Sequence, residues 1–160
     1  MGKGHFLSII GVVAILLLPL AMAQSVVNMG GVVILDEVDL GIEGGDVSPD
    51  GEFVLAHGAD SAIFLIESEV PFNNSRVQSS GSGTLLDASF HPSGKTALLV
   101  GEEGLLLRFI SSNSTVEKSG GGSAFGGTDL NAVSWNGDGS WAYIGGEEGW
   151  IWRYRGLDDG

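Results

Sequence analysis

The chain has 160 residues, no cysteine, and twenty acidic against seven basic side chains, for a formal net charge of −13. That length gives one domain and a leader, and the lack of cysteine excludes disulfide stapling, thiol catalysis and cysteine-based metal sites. The charge excludes a surface for nucleic acid or anionic lipid, since both need clustered basic residues; it serves solubility, or complements a cation or a basic protein.

The first element is a leader. Lys3 and His5 form a short polar start, residues 6–20 are apolar, and Ala21-Met22-Ala23 makes a small-residue cleavage motif before Gln24. Residues 1–23 are read as a signal peptide and residues 24–160 as the mature chain, which places it as secreted or extracytoplasmic, at the cell surface. The alternative is an uncleaved anchor over residues 6–23, the only route to a membrane, which just reaches spanning length. Pro19 near its end favours cleavage. Loss of the leader removes Lys3 and no acid, so the mature chain is more acidic still.

Beyond the leader no segment has a sustained helical period. Short runs of β-branched, aromatic and aliphatic residues alternate with Gly, Ser, Asn and Asp, which predicts an all-β chain. Val32-Val33-Ile34-Leu35 predicts a strand without a hairpin of its own. It is either the outer strand of an earlier unit or a closing strand for the last. Three copies of one pattern follow: Gly51-Glu-Phe-Val-Leu-Ala-His-Gly58, Gly94-Lys-Thr-Ala-Leu-Leu-Val-Gly101 and Gly139-Ser-Trp-Ala-Tyr-Ile-Gly-Gly146. The copies recur after 43 and then 45 residues, the period of a propeller blade.

In the first copy, strands are predicted over residues 53–56 and 62–66. In the second they fall at 85–90, 96–100 and 105–110, and residues 119–127 read as a Gly/Ser-rich crossover loop. In the third they fall at 130–135, 141–145 and 150–154, separated by the turns 136–139 and 146–149. Runs such as Leu105-Leu106-Leu107 are continuously apolar, the pattern of a sheet covered on both faces. Gly51, Gly94 and Gly139 are expected to close the first turn of each copy at positive φ, and Gly104 and Gly149 the second.

Ala132-Val-Ser-Trp-Asn-Gly-Asp-Gly139, followed by Gly146-Glu-Glu-Gly149-Trp-Ile-Trp, resembles the core of a WD-repeat β-propeller blade. Asp46-Val-Ser-Pro-Asp-Gly51 and Phe90-His-Pro-Ser-Gly94 are similar to the first turn of that family. The likeness spans nearly all of the mature chain. It departs from the family at the missing Gly-His dipeptide and at the third-strand end, where Tyr154-Arg155 and Phe109-Ile110 replace Trp-Asp. Arg108 and Arg153, four residues after their turn glycines, instead resemble the Asp-box, photosystem-assembly-factor type of propeller. The resemblance implies about three four-stranded antiparallel blades. Since four to eight blades normally close a ring, it also implies an incomplete or partial propeller, or one that closes by oligomerising.

Alternate connections of a meander emerge at opposite ends, so the second turns, with Asp60, Glu102, Glu103, Glu147 and Glu148, recur on one face. They predict an acidic rim for a cation or a basic partner, or hairpin tips kept polar for solubility. Asn73-Asn-Ser75 and Asn113-Ser-Thr115 are glycosylation sequons on predicted outer loops, at Asn73 and Asn113. Arg108 and Arg153 can grip an anion or pair with a neighbouring carboxylate. Trp135, Trp141, Trp150 and Trp152 offer a platform for sugar or protein, with at least two of them expected in packing between sheets.

No catalytic constellation, metal set or cofactor loop is legible. His57 and His91 lack ligand spacing, and Gly120-Gly-Gly122 lacks the Lys and helix of a phosphate loop. The sequence therefore predicts a non-enzymatic, exported propeller module that binds a protein or small ligand. The alternative is a fragment of a sialidase-like glycan hydrolase, whose nucleophile would be Tyr143 or Tyr154.

Overall fold

The computed structural model describes residues 41–69, 71–120 and 122–155. All of them lie in the second of the two units into which the chain divides, which begins at Val33. The expectations for the leader and for the strand at 32–35 fall outside the described residues.

The described chain is all-β. Eleven strands run in order: β1 (Ile42–Val47), β2 (Phe53–Gly58), β3 (Ile63–Glu67), β4 (Asn74–Arg76), β5 (Leu85–Phe90), β6 (Thr96–Gly101), β7 (Leu105–Ile110), β8 (Thr115–Gly120), β9 (Leu130–Trp135), β10 (Ala142–Gly146) and β11 (Ile151–Tyr154). They form three antiparallel meanders: sheet 1 is β1-β2-β3-β4, sheet 2 is β5-β6-β7-β8, and sheet 3 is β9-β10-β11. Among the described residues no helix is long and apolar enough to cross a membrane.

Each sequence copy builds the same central hairpin. In the first turn the residue three before the glycine (Ser48, His91 or Asn136) accepts the glycine N–H on its carbonyl. Its own N–H donates to Phe53, Thr96 or Trp141 across the hairpin. The glycine itself sits at φ +77, +72 or +74, where any other residue would be strained.

The second glycine has a different cause in the second and third copies. Gly101 is fully extended, which any residue can adopt, but a Cβ there would collide with the backbone carbonyl of Thr84. At Gly146 a Cβ would lie 2.8 Å from the Asp129 carbonyl. The absent side chain lets the next residue bond to that crossover: Glu102 N–H to Thr84 O at 3.0 Å and Glu147 N–H to Asp129 O at 3.1 Å.

Strand alternation then assigns the core. Leu55 and Ile63 of sheet 1 pack with Ala97, Leu99, Leu107 and Phe109 of sheet 2. Leu98, Val100 and Leu106, on the other face of sheet 2, pack with Val133, Ala142 and Ile144 of sheet 3. Sheet 2 is thus apolar on both faces, as its continuous run required.

The sheets meet through their first strands, each an edge strand of its own sheet. Asp46 on β1 accepts the Phe90 N–H of β5 at 2.7 Å, and Asp87 on β5 accepts the Val133 N–H of β9 at 2.7 Å. Two carboxylates therefore cap edge N–H groups that would otherwise be left open. His57, buried in sheet 1, adds a third link through Nδ1–H to the Leu85 carbonyl, 3.0 Å away.

Three strands, β1, β4 and β8, were not located by the sequence reading. The loop expected over 119–127 is shorter than predicted, because Ser119 and Gly120 pair with β7 at the end of β8.

Candidate functional site

The candidate site is built from the second turns. β2 leads into β3 through a one-turn 3-10 helix, Ala59–Ser61; β6 into β7 through Glu102–Gly104; β10 into β11 through Glu147–Gly149. In each, the middle residue is acidic and left-handed: Asp60 at φ 51, Glu103 at φ 54 and Glu148 at φ 56. A non-glycine residue held there is strained, and such strain persists only where surrounding bonds over-determine it. Those bonds are present. Ala62, Leu105 and Trp150 donate N–H back across their turns to Ala59, Glu102 and Glu147.

The first two of these turns are also fastened to the crossover of the following sheet. Ser61 donates both N–H and Oγ–H to the Gly83 carbonyl, at 2.7 and 3.1 Å. Glu103 N–H donates to Asp129 Oδ1 at 2.8 Å. Ser61 stands where the other copies have Gly104 and Gly149, and it too is left-handed, at φ 51. Its hydroxyl bond is the compensation that the glycines lack.

First and second turns occupy opposite ends of the sheets. At the first-turn end, the Pro49 ring lies against Gly94, and His91 Nε2–H donates to the Gly139 carbonyl at 3.0 Å. His91 Nδ1 accepts the Ser93 N–H at 3.0 Å, which fixes that tautomer and gives His91 a turn role. The five sequence-identified acids all lie at the other end.

The structure distinguishes among them. Asp60, Glu103, Glu147 and Glu148 are exposed. Glu102 is half-buried, and its Oε2 accepts the Thr84 N–H at 2.8 Å, so this carboxylate closes the crossover. The acids remain on separate tips: among the described residues no three His, Cys, Asp or Glu side chains come together to hold a metal ion.

A second acidic locus escaped the sequence reading. Asp50 and Glu52 at the first turn, Glu67 at the end of β3 and Glu69 just beyond it line an open groove of about 460 Å³ at the first-turn end of sheet 1. The pairing of Phe53 with Glu67 brings these stretches together. A hairpin register predicted from the sequence would have found it. Two first-turn carboxyls are electrostatically distinct. The Ser48 hydroxyl, then the Glu52 N–H, hold Asp50 below the ordinary carboxylate range. The Ser140 hydroxyl and N–H, with Asn136, do the same for Asp138.

The remaining candidates are placed as follows. Asn73 is exposed beside β4, with its Nδ2–H donating to Glu67 Oε2 at 2.8 Å; Asn113 is exposed in the β7–β8 turn, accepting from the Thr115 hydroxyl. Arg108 pairs with Glu117 at 3.3 Å, and the equivalent Arg153 stacks on Trp141 at 3.9 Å. Trp135 and Trp152 pack against the core between sheets 2 and 3, while Trp150 lies over Trp152 with 58% of its surface exposed. Tyr154 bonds Ser119 through its hydroxyl at 3.0 Å, and Tyr143 is exposed on the outer face of sheet 3.

No family model matches the chain, and no curated protein matches it in sequence.

Proposed function

We propose that the chain is an exported, non-enzymatic module of the β-propeller type, of the WD-repeat or Asp-box kind, that serves as a rigid scaffold for binding a protein or small ligand. One observation carries the reading. Three equivalent turns each hold an acidic residue in a strained left-handed conformation, at φ 51 to 56, at one end of the sheets. Rigid loops on a packed scaffold are where binding residues concentrate, and pre-ordered loops lower the entropy cost of association. A partner for this end is a basic protein, since exposed carboxylates on separate tips suit dispersed ammonium or guanidinium groups better than one ion.

The test is retention of the host's exported proteins on the immobilised chain, beside a variant carrying Asp60→Lys, Glu103→Lys and Glu148→Lys. A basic protein is expected on the unaltered chain alone, eluting as salt screens the contact. Identical retention on both would overturn the reading.

A further inference from the structure

The two contacts between neighbouring sheets are built from equivalent positions, but they are not equally full. Counted from the first-turn glycine, Phe90 of sheet 2 matches Trp135 of sheet 3, and Ser48 of sheet 1 matches His91 of sheet 2. The equivalence holds in space: Phe90 meets Phe109 edge-on at 6.2 Å, and Trp135 meets Tyr154 edge-on at 6.0 Å. Between sheets 2 and 3 the His91 imidazole lies edge-on to the Trp135 indole, with 4.7 Å between ring centroids, and it covers the buried Gly139. Between sheets 1 and 2 the same two places hold a serine and a phenylalanine, and Gly94 is only half-buried. An imidazole and the second ring of an indole are missing from that space.

What remains is a pocket of about 120 Å³ that Ser48 and Phe90 both line, with Phe53, Leu65 and Phe109 as its other large walls. Phe90 and Phe109 are buried and Asp50 is exposed, so the carboxylate marks the mouth. A closed apolar cavity of roughly 150 Å³ admits benzene. This smaller pocket, open at its mouth, fits a single aromatic ring whose substituent points to solvent.

The mouth selects the substituent. Asp50 Oδ1 accepts the Ser48 hydroxyl and the Glu52 N–H, and these donors keep the carboxyl ionised at neutral pH. Asp50 and Phe53 also line the acidic groove that continues to Glu52 and Glu67. No basic side chain lines the pocket or the groove, so an anion would meet carboxylates alone while a cation is attracted along the whole path.

We propose that this pocket binds a small arylalkylamine, its ring held among Phe53, Leu65, Phe90 and Phe109 and its ammonium group donating to the Asp50 carboxylate. The site lies at the first-turn end, opposite the acidic second turns, and does not rest on the binding role proposed for them.

An amide-resolved NMR titration of the full chain with benzylamine tests it. Saturable shifts are expected in the millimolar range, centred on the Phe90, Gly94 and Ser111 amides. Phe90→Trp, which carries the third copy's residue into the pocket, should abolish them while the spectrum stays dispersed. Asp50→Asn changes only an exposed side chain and should bind about fivefold more weakly, the scale of an exposed ion pair. Benzyl alcohol, which keeps the ring and lacks the charge, should lose a similar factor, and butylamine, which lacks the ring, should give no saturable shift. The lysine-substituted turn variant should bind benzylamine as the unaltered chain does, so the two readings fail separately. Absence of saturation, equal affinity for benzylamine and benzyl alcohol, undiminished binding by Asp50→Asn, or a folded Phe90→Trp chain that still binds would each overturn the proposal.

Discussion

Gly51 and Gly101 belong to different copies of the same glycine pair pattern, and a methyl group would meet different things at each. Gly51 is left-handed, with nothing near the place a Cβ would take. Alanine there carries only the conformational penalty, about 1–2 kcal/mol. Gly101 is extended, so alanine costs no conformational strain, but its Cβ would drive the Thr84 carbonyl away and break the Glu102 bond to it. Backbone cannot rotate aside as a side chain can. Gly101→Ala should therefore cost about 3 kcal/mol, the upper end of overpacking penalties. Urea denaturation of the two variants checks this, and equal losses would contradict it. The seven-residue spacing was legible because both glycines are irreplaceable. Their separate reasons were not, since a close approach between chain segments leaves no mark in the sequence beyond the glycine itself.

The first turns are elements with their own pH dependence. Asp50 and Asp138 are held below the ordinary value of 3.8 by hydroxyl and N–H donors, while the equivalent residue of the middle copy is Ser93, which does not titrate. A carboxyl whose folded value is depressed contributes stability above its unfolded value and loses it as pH falls through the folded value. Stability should hold from neutral pH down to about 4 and then decline. The Asp50→Asn, Asp138→Asn double variant should decline less steeply in denaturant titrations run at successive pH values. An unchanged slope would contradict the hydroxyl cages.

Eight of the eleven strands were readable because each is a run of β-branched, aromatic or aliphatic residues. The other three lack that signal for physical reasons. β1, Ile-Glu-Gly-Gly-Asp-Val, has poor strand propensity and is held by its ladder to β2 and by packing beside β5. β4 is three exposed polar residues, and β8 is an edge strand mostly open to solvent. Such strands are defined by partners and not by composition. The acidic turns were legible by spacing, but the diversion of Glu102 into the crossover was not, because it depends on where Thr84 arrives.

At the scale of the molecule, the repeat yields three sheets whose first strands are joined by two carboxylates, Asp46 and Asp87. They stand two residues out of step with one another in the repeat, Asp46 five residues before its turn glycine and Asp87 seven before its own. Each nevertheless reaches an edge N–H of the next first strand. At the start of the series the Val47 N–H, equivalent to that of Phe90, bonds to the neighbouring Asp46 Oδ1. The linkage thus has a direction, from each sheet to the one that follows, and the aliphatic layers between sheets lie beneath it. Hydrogen exchange of individual amides tests this stacking most directly. The Phe90 and Val133 amides should exchange slowly in the unaltered chain. Asp87→Ala should release the Val133 amide by at least tenfold, on the order of the 1.5–3 kcal/mol carried by a hydrogen bond to a charged group, and leave Phe90 protected. A Val133 amide that exchanges at the same rate with and without the Asp87 carboxylate would contradict it.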